Sequence, residues 1–146
     1  MDQTAAMEVG IPVLNLDTMH RFYCDVLGCT ELRRADIAPE LSKGLTTSAQ
    51  GYVNVWLRTP NGEVIKLMHP TVPASRAPRV DYLTERTGIA YLTFYCSNLD
   101  EVLAKAEASG ATLRSDRELT SGAIGVKLCF FDDPEGNVIE LVEPMG

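Results

Sequence analysis

Apolar alternation and helical spacing divide this chain into short segments that follow one order twice. Glu8 to Leu14 alternates, with Val9, Ile11 and Val13 on one face and Glu8, Gly10 and Pro12 on the other, which predicts a strand. Pro12 assigns that strand to an edge or a bulge. Asn15-Leu16-Asp17 ends it and predicts a helix cap. Met19, Phe22, Tyr23, Val26 and Leu27 follow at helical spacing, and Gly28 stops the helix. Cys29 to about Ile37 reads as a second strand. Residues 38–49 are polar and predict a mobile loop long enough to be a lid. Tyr52 to Arg58 and Val64 to His69 are two further strands, completing a β-α-β-β-β order.

Residues 70–87 hold Pro70, Pro73 and Pro78 with Arg76, Arg79 and Arg86, and predict a linker. The order then restarts. Ile89 to Cys96 predicts a strand, and Asn98-Leu99-Asp100 caps a helix with Val102, Leu103 and Ala106 on its apolar face. Gly110 stops that helix. Ala111 to Arg117 predicts a strand, 118–124 a loop, Gly125 to Phe131 a strand, and 137–143 the last strand.

The two halves also match residue for residue where they end. Thr59-Pro60-Asn61-Gly62-Glu63-Val64-Ile65-Lys66-Leu67-Met68-His69-Pro70 aligns without a gap on Asp133-Pro134-Glu135-Gly136-Asn137-Val138-Ile139-Glu140-Leu141-Val142-Glu143-Pro144. Proline sets the second turn position and glycine supplies the positive φ. A whole β-α-β-β-β module therefore occurs twice, an α+β arrangement in tandem. Lys66 falls where Glu140 falls. Each puts a charge in the middle of an apolar strand, where it is costly without a partner or a task.

Composition narrows the function classes. A net charge of −7 argues against nucleic acid or anionic membrane as partner. No apolar run reaches the roughly 20 residues of a membrane span, and no signal peptide is visible at Met1-Asp2-Gln3-Thr4. Cys24, Cys29, Cys96 and Cys129 form no C-x-x-C pair and read as reduced thiols of a cytoplasmic protein.

Three stretches carry a family resemblance: Val9-Gly10-Ile11-Pro12-Val13 with Asn15-Leu16-Asp17; Phe22-Tyr23 with Val26-Leu27-Gly28; and Asp132 through Leu141. Over about residues 7–144 the chain resembles the vicinal oxygen chelate superfamily. Its members include glyoxalase I, methylmalonyl-CoA epimerase, extradiol dioxygenases, fosfomycin-modifying enzymes and bleomycin-sequestering proteins. The resemblance implies a single domain: module one about 7–69, linker 70–87 and module two about 88–144, as a half-open barrel around a cavity. It also implies a homodimer and a small organic ligand.

The resemblance further implies inward positions on the first and last strand of each module, where members usually hold a divalent metal with His, Gln or Glu. By motif spacing these fall on Glu8, Lys66, Tyr91 and Glu140. None is a histidine; His20 lies in the first helix and His69 at a strand end. Protonated lysine has no lone pair to donate. Glu8, Tyr91 and Glu140 can hold a hard cation weakly. The better fit is a site without a cofactor, in which the Lys66 ammonium replaces the metal between two carboxylates.

That constellation has an inert reading, an ion pair plugging a former site, and a catalytic one. In the catalytic reading Glu8 or Glu140, raised in pKa by an apolar wall, takes a proton next to a carbonyl, and Lys66 and Tyr91 stabilise the oxyanion. Strand parity adds Asn54, Trp56 and Met68 in module one and Thr93 and Tyr95 in module two as substrate-binding residues, with Val138 and Val142 flanking Glu140. The expected activity is an isomerase, epimerase or lyase. The alternatives are a protein that sequesters an antibiotic or toxin, and a metal-dependent enzyme of glyoxalase or dioxygenase type.

Overall fold

A computed structural model describes residues 1–117, 119–121 and 125–146. The chain forms two compact units, Met1–Ser75 and Arg76–Gly146, so the boundary falls inside the segment expected to be a linker.

In unit one, β1 (Glu8–Pro12), β2 (Thr30–Ile37), β3 (Tyr52–Arg58) and β4 (Val64–Pro70) form a sheet in the order β1-β4-β3-β2. β1 runs parallel to β4, and the other pairs are antiparallel. Pro12 therefore sits on an edge strand of its sheet, where its missing N–H costs little. Val55, Leu57, Ile65 and Leu67 are buried, as are Leu16, Met19, Phe22 and Tyr23 of the helical segment. Each such side chain contributes about 1.5–3 kcal/mol on leaving water.

α1 (Leu16–Arg21) begins as expected, with the Asn15 Oδ1 accepting from the Thr18 N–H at 2.9 Å. It then widens into a π-helical turn over Phe22–Val26. The wider turn accommodates Phe22 and Tyr23, adjacent in sequence and both fully buried, with their rings edge to face at 5.7 Å.

The expected polar loop at 38–49 is not structureless: Pro39–Gly44 form α2. Pro39 starts the helix with its fixed φ. Ser42 anchors it, since its buried hydroxyl donates to the Pro39 carbonyl at 3.1 Å and accepts from the Gly51 N–H at 3.0 Å. Leu41 and Leu45 stay exposed, so no apolar stripe announced this helix in the sequence.

In unit two, β5 (Leu92–Tyr95), β6 (Thr112–Leu113), β8 (Val126–Asp132) and β9 (Val138–Pro144) run in the order β5-β9-β8-β6, and β7 (Leu119–Ser121) also pairs with β8. Both sheets are open. β5 is shorter than the strand expected over Ile89–Cys96, and Tyr91 lies just before it. β6 spans only two of the residues expected from Ala111 to Arg117. Of the loop expected at 118–124, residues 119–121 form β7 and the others lie outside the described residues.

α3 (Leu99–Ala108) buries Leu99, Leu103 and Ala106. Asn98 does not cap it; the Glu143 carboxylate on β9 accepts from the Leu99 N–H at 3.2 Å. The second half of the linker is fastened to unit two. Arg114 and Asp132, both more than nine-tenths buried, pair at 2.9 Å, and Arg114 also donates to the Val80 carbonyl at 2.5 Å. Arg79 reaches the same carboxylate at 3.5 Å, and Arg76 donates to the Pro134 carbonyl at 3.3 Å. Among the described residues no helix is long and apolar enough to cross a membrane.

Candidate functional site

The face of the unit-one sheet opposite the helix is built in rows across the strands. Directly opposed residues share a face, so Arg33, Trp56, Lys66 and Gly10 form one row across β2, β3, β4 and β1. Ala35, Asn54, Met68 and Pro12 form the next row, and Arg58, Val64 and Glu8 lie on the other side.

Glu8 stands one alternate position from Gly10, close enough to bridge. Its Oε2 meets the Lys66 Nζ at 2.7 Å, with both side chains about one-third exposed. Gly10 has no side chain to come between them, and the Met68 Sδ lies 3.1 Å from where a Cβ on Gly10 would stand. The Arg33 guanidinium lies over the Trp56 ring, 3.9 Å from its centroid. That contact combines stacking with cation–π attraction. Asn54 is 4% exposed, and its Oδ1 has no hydrogen-bond partner among the described residues.

The equivalent face of unit two carries different chemistry. Thr93 and Glu140 are opposed on β5 and β9, and the Thr93 hydroxyl donates to the Glu140 carboxylate at 2.6 Å. Phe130 opposes Glu140 on β8, and its ring takes the Tyr91 ring edge to face at 5.2 Å. Val138 and Val142 flank Glu140 and are buried, whereas Tyr95 is exposed. Glu8 pairs with Lys66 within unit one, and Thr93 with Glu140 within unit two.

The Glu8–Lys66 pair does not fit a divalent metal. Its one carboxylate is already bonded to an ammonium, which donates hydrogen bonds only and repels a cation. Among the described residues, no three His, Cys, Asp or Glu side chains gather where they could hold a metal ion.

A thiol–imidazole pair does exist, away from this face. The His20 Nε2 is 2.7 Å from Glu31 and 3.8 Å from the Cys24 Sγ. The same nitrogen meets both groups, so the imidazole cannot relay a proton between them. Burial, then the Asp25 and Glu31 charges, pushes the Cys24 thiol up, away from the thiolate a nucleophile needs. Glu31 is held below the usual carboxylate range first by its hydrogen bond to Arg34.

Arg33 was not among the residues singled out from the sequence. The register shifts between Glu31 and Arg33, a bulge that resets which residues of β2 share the face of Trp56. Two adjacent arginines in a strand were the visible signal; which of them faces Trp56 depends on that bulge.

The sequence profile of the Glyoxalase/Bleomycin resistance protein/Dioxygenase superfamily matches residues 4–141. No curated protein sequence matches the chain. A glyoxalase family protein from Bacillus cereus superposes with a TM-score of 0.84 at 22% identity, covering 100% of this chain and 97% of that one. A glyoxalase I variant from Zea mays gives 0.67 at 16% identity, covering 94% of this chain and 47% of that longer one. A fosfomycin resistance protein from Listeria monocytogenes, complexed with Mn(II) and sulfate, gives 0.63 at 12% identity, covering 98% and 94%. At these identities the likeness carries the fold alone, and it agrees with the tandem modules. By the match over residues 4–141, this chain belongs to the Glyoxalase/Bleomycin resistance protein/Dioxygenase superfamily.

Proposed function

We propose that the protein is a small-molecule enzyme that abstracts a proton next to a carbonyl without a metal, an isomerase, epimerase or lyase. The observation that carries this is the 2.7 Å Glu8–Lys66 pair, part-exposed on the sheet face that also carries Trp56. Glu8 is the base. As its Oε2 takes the proton, the C–H bond breaks and the electron pair moves onto the carbonyl oxygen as an enolate. Lys66 then exchanges one anionic partner for another, carboxylate for enolate, so the charge of the pair is balanced throughout. The proton returns from Glu8 to the same or a neighbouring carbon.

Deuterium exchange tests this. With 2-oxobutyrate and acetoin in D2O, proton NMR reads loss of the C–H signal next to the carbonyl. Exchange above buffer that falls about 10²–10⁴-fold in Glu8→Gln supports the reading. Exchange that survives Glu8→Gln removes Glu8 from the mechanism. Absence of exchange with tight ligand binding favours the sequestering alternative, which the uncommitted Arg33–Trp56 stack also supports.

A further inference from the structure

Module one carries polar groups that its own hydrogen bonding does not absorb. The Asn54 Oδ1 is buried and unpartnered among the described residues, and a bare buried acceptor costs about 1–3 kcal/mol. It lies on the face of Lys66 and Met68, in the row next to Trp56. Arg33, over Trp56, makes no ion pair among the described residues. Among the described residues, this face thus sets three cations, Arg33, Arg58 and Lys66, against the one carboxylate of Glu8, on a chain whose net charge is −7. A bare acceptor beside an unpaired guanidinium asks for a complementary ligand: an anion joined to a hydrogen-bond donor.

We propose that this face binds a small hydroxy acid, its carboxylate on the Arg33 guanidinium and its hydroxyl donating to the Asn54 Oδ1. Arg33 and Asn54 sit on neighbouring antiparallel strands one alternate position apart, a diagonal of about 7–8 Å between Cα atoms. The carboxylate and the hydroxyl are therefore separated by no more than one small ring. The guanidinium fork matches the carboxylate, and the hydroxyl removes the desolvation cost of the Asn54 oxygen. The proposal deepens the catalytic reading by naming its substrate class and rests on that reading only for the choice of face.

The experiment is calorimetric titration of the whole protein with glycolate and 4-hydroxybenzoate. Each is paired with its methoxy counterpart, which lacks the donor, and its amide, which lacks the charge. Trp56, the only tryptophan, gives a parallel fluorescence readout. At least one hydroxy acid is expected to bind about tenfold more tightly than its methoxy and amide partners. Arg33→Ala, at an exposed position, should erase the preference for acid over amide. Asn54→Leu should erase the preference for hydroxyl over methoxy and raise the unfolding midpoint, because it removes the bare acceptor.

Failure of both acids to bind at millimolar concentration overturns the proposal. So does preference for the methoxy partner, which would mean that the amide presents its nitrogen there. Survival of the hydroxyl preference in Asn54→Leu does the same. Should Asn54→Leu fail to fold, the acid-against-amide test on Arg33→Ala decides. Hydroxy-acid binding with no proton exchange from 2-oxobutyrate or acetoin defeats the catalytic reading and leaves this one standing. Proton exchange with no acid preference does the reverse.

Discussion

In module one, the turn before β4 closes with the Thr59 N–H donating to the Glu63 carbonyl at 2.8 Å and the Gly62 N–H to the Thr59 carbonyl at 3.0 Å. In module two, the Asp133 N–H donates to the Asn137 carbonyl at 2.8 Å and the Gly136 N–H to the Asp133 carbonyl at 3.0 Å. The backbones are the same, but the side chains have exchanged roles. The Thr59 hydroxyl donates to the Glu63 carboxylate, whereas the Asp133 carboxylate accepts from the Asn137 amide at 2.8 Å. Turn geometry is fixed by proline and glycine, so the polar chemistry around it is free to invert. The following strands diverge the same way: Lys66 pairs with an acid, and Glu140 with a hydroxyl.

The largest test of this comparison concerns an anchor found in module two. The Arg114–Asp132 pair is buried and fastens Val80 and Arg79 to that sheet. Removing one partner of such a pair leaves the other uncompensated, at about 3–5 kcal/mol. Arg114→Ala should therefore lower hydrogen-exchange protection across β8 and β9 while that of β3 and β4 holds. Equal loss in both modules would show that the units do not respond independently.

Module one has its own anchor in Gly51. Its φ is +81°, and a Cβ there would meet the Ile37 carbonyl oxygen at 2.6 Å. Gly51→Ala should cost about 3 kcal/mol by strain and displacement and loosen the bond from the Gly51 N–H to the Ser42 hydroxyl that anchors α2. The readout is chemical denaturation together with protease cleavage between residues 38 and 50. An unchanged midpoint would mean that α2 does not depend on this contact.

The buried thiols compare the modules under alkali. Burial pushes Cys29 up to about 12 and Cys129 up to about 11; the latter shift is softened by Arg117 and Lys127. The unfolded thiols ionise near 9, so their contribution is complete below that pH and is lost as pH rises toward the folded values. Native protein should leave both thiols unreactive to a disulfide reagent at pH 8. Stability should decline from about pH 9 upward, and less steeply in Cys29→Ala once its own lower baseline is subtracted. Rapid labelling of either thiol in the native state would contradict the burial argument.

Much of the fold was legible because it rests on local rules. Period-two alternation located β1, β3, β4 and β9, and the Pro–Gly turns gave the repeat. What escaped depends on partners distant in sequence. α2 is held by a serine hydroxyl and a glycine rather than by an apolar face, and the π turn in Phe22–Val26 comes from packing two adjacent aromatics. At the site, Glu8 and Lys66 were expected as inward positions from the family resemblance, placed by motif spacing, and the two side chains do meet. Arg33 did not, because a bulge resets parity. The Asn54 amide was legible as a position on the face, but not as an unpartnered acceptor.

The helix starts give the smallest test and the sharpest. Both modules place Asn-Leu-Asp at the helix start, with the asparagine just before it, yet only the Asn15 side chain accepts from its own first turn, at 2.9 Å. Asn98 instead donates to Glu101 at 3.0 Å on the surface, and the Leu99 N–H is taken by Glu143 from the last strand. The same three letters thus carry a local cap in one module and a spectator in the other. Asn15→Ala should cost about 1 kcal/mol, and Asn98→Ala no more than about 0.5 kcal/mol. Glu143→Ala should cost about 1 kcal/mol, because it removes the acceptor that module two uses in place of its asparagine. Denaturant midpoints of the three variants, measured side by side, read this directly. Equal losses for Asn15 and Asn98 would mean that the motif itself sets the cap. A loss confined to Asn15 and Glu143 would mean that the strand now carries the helix start in module two.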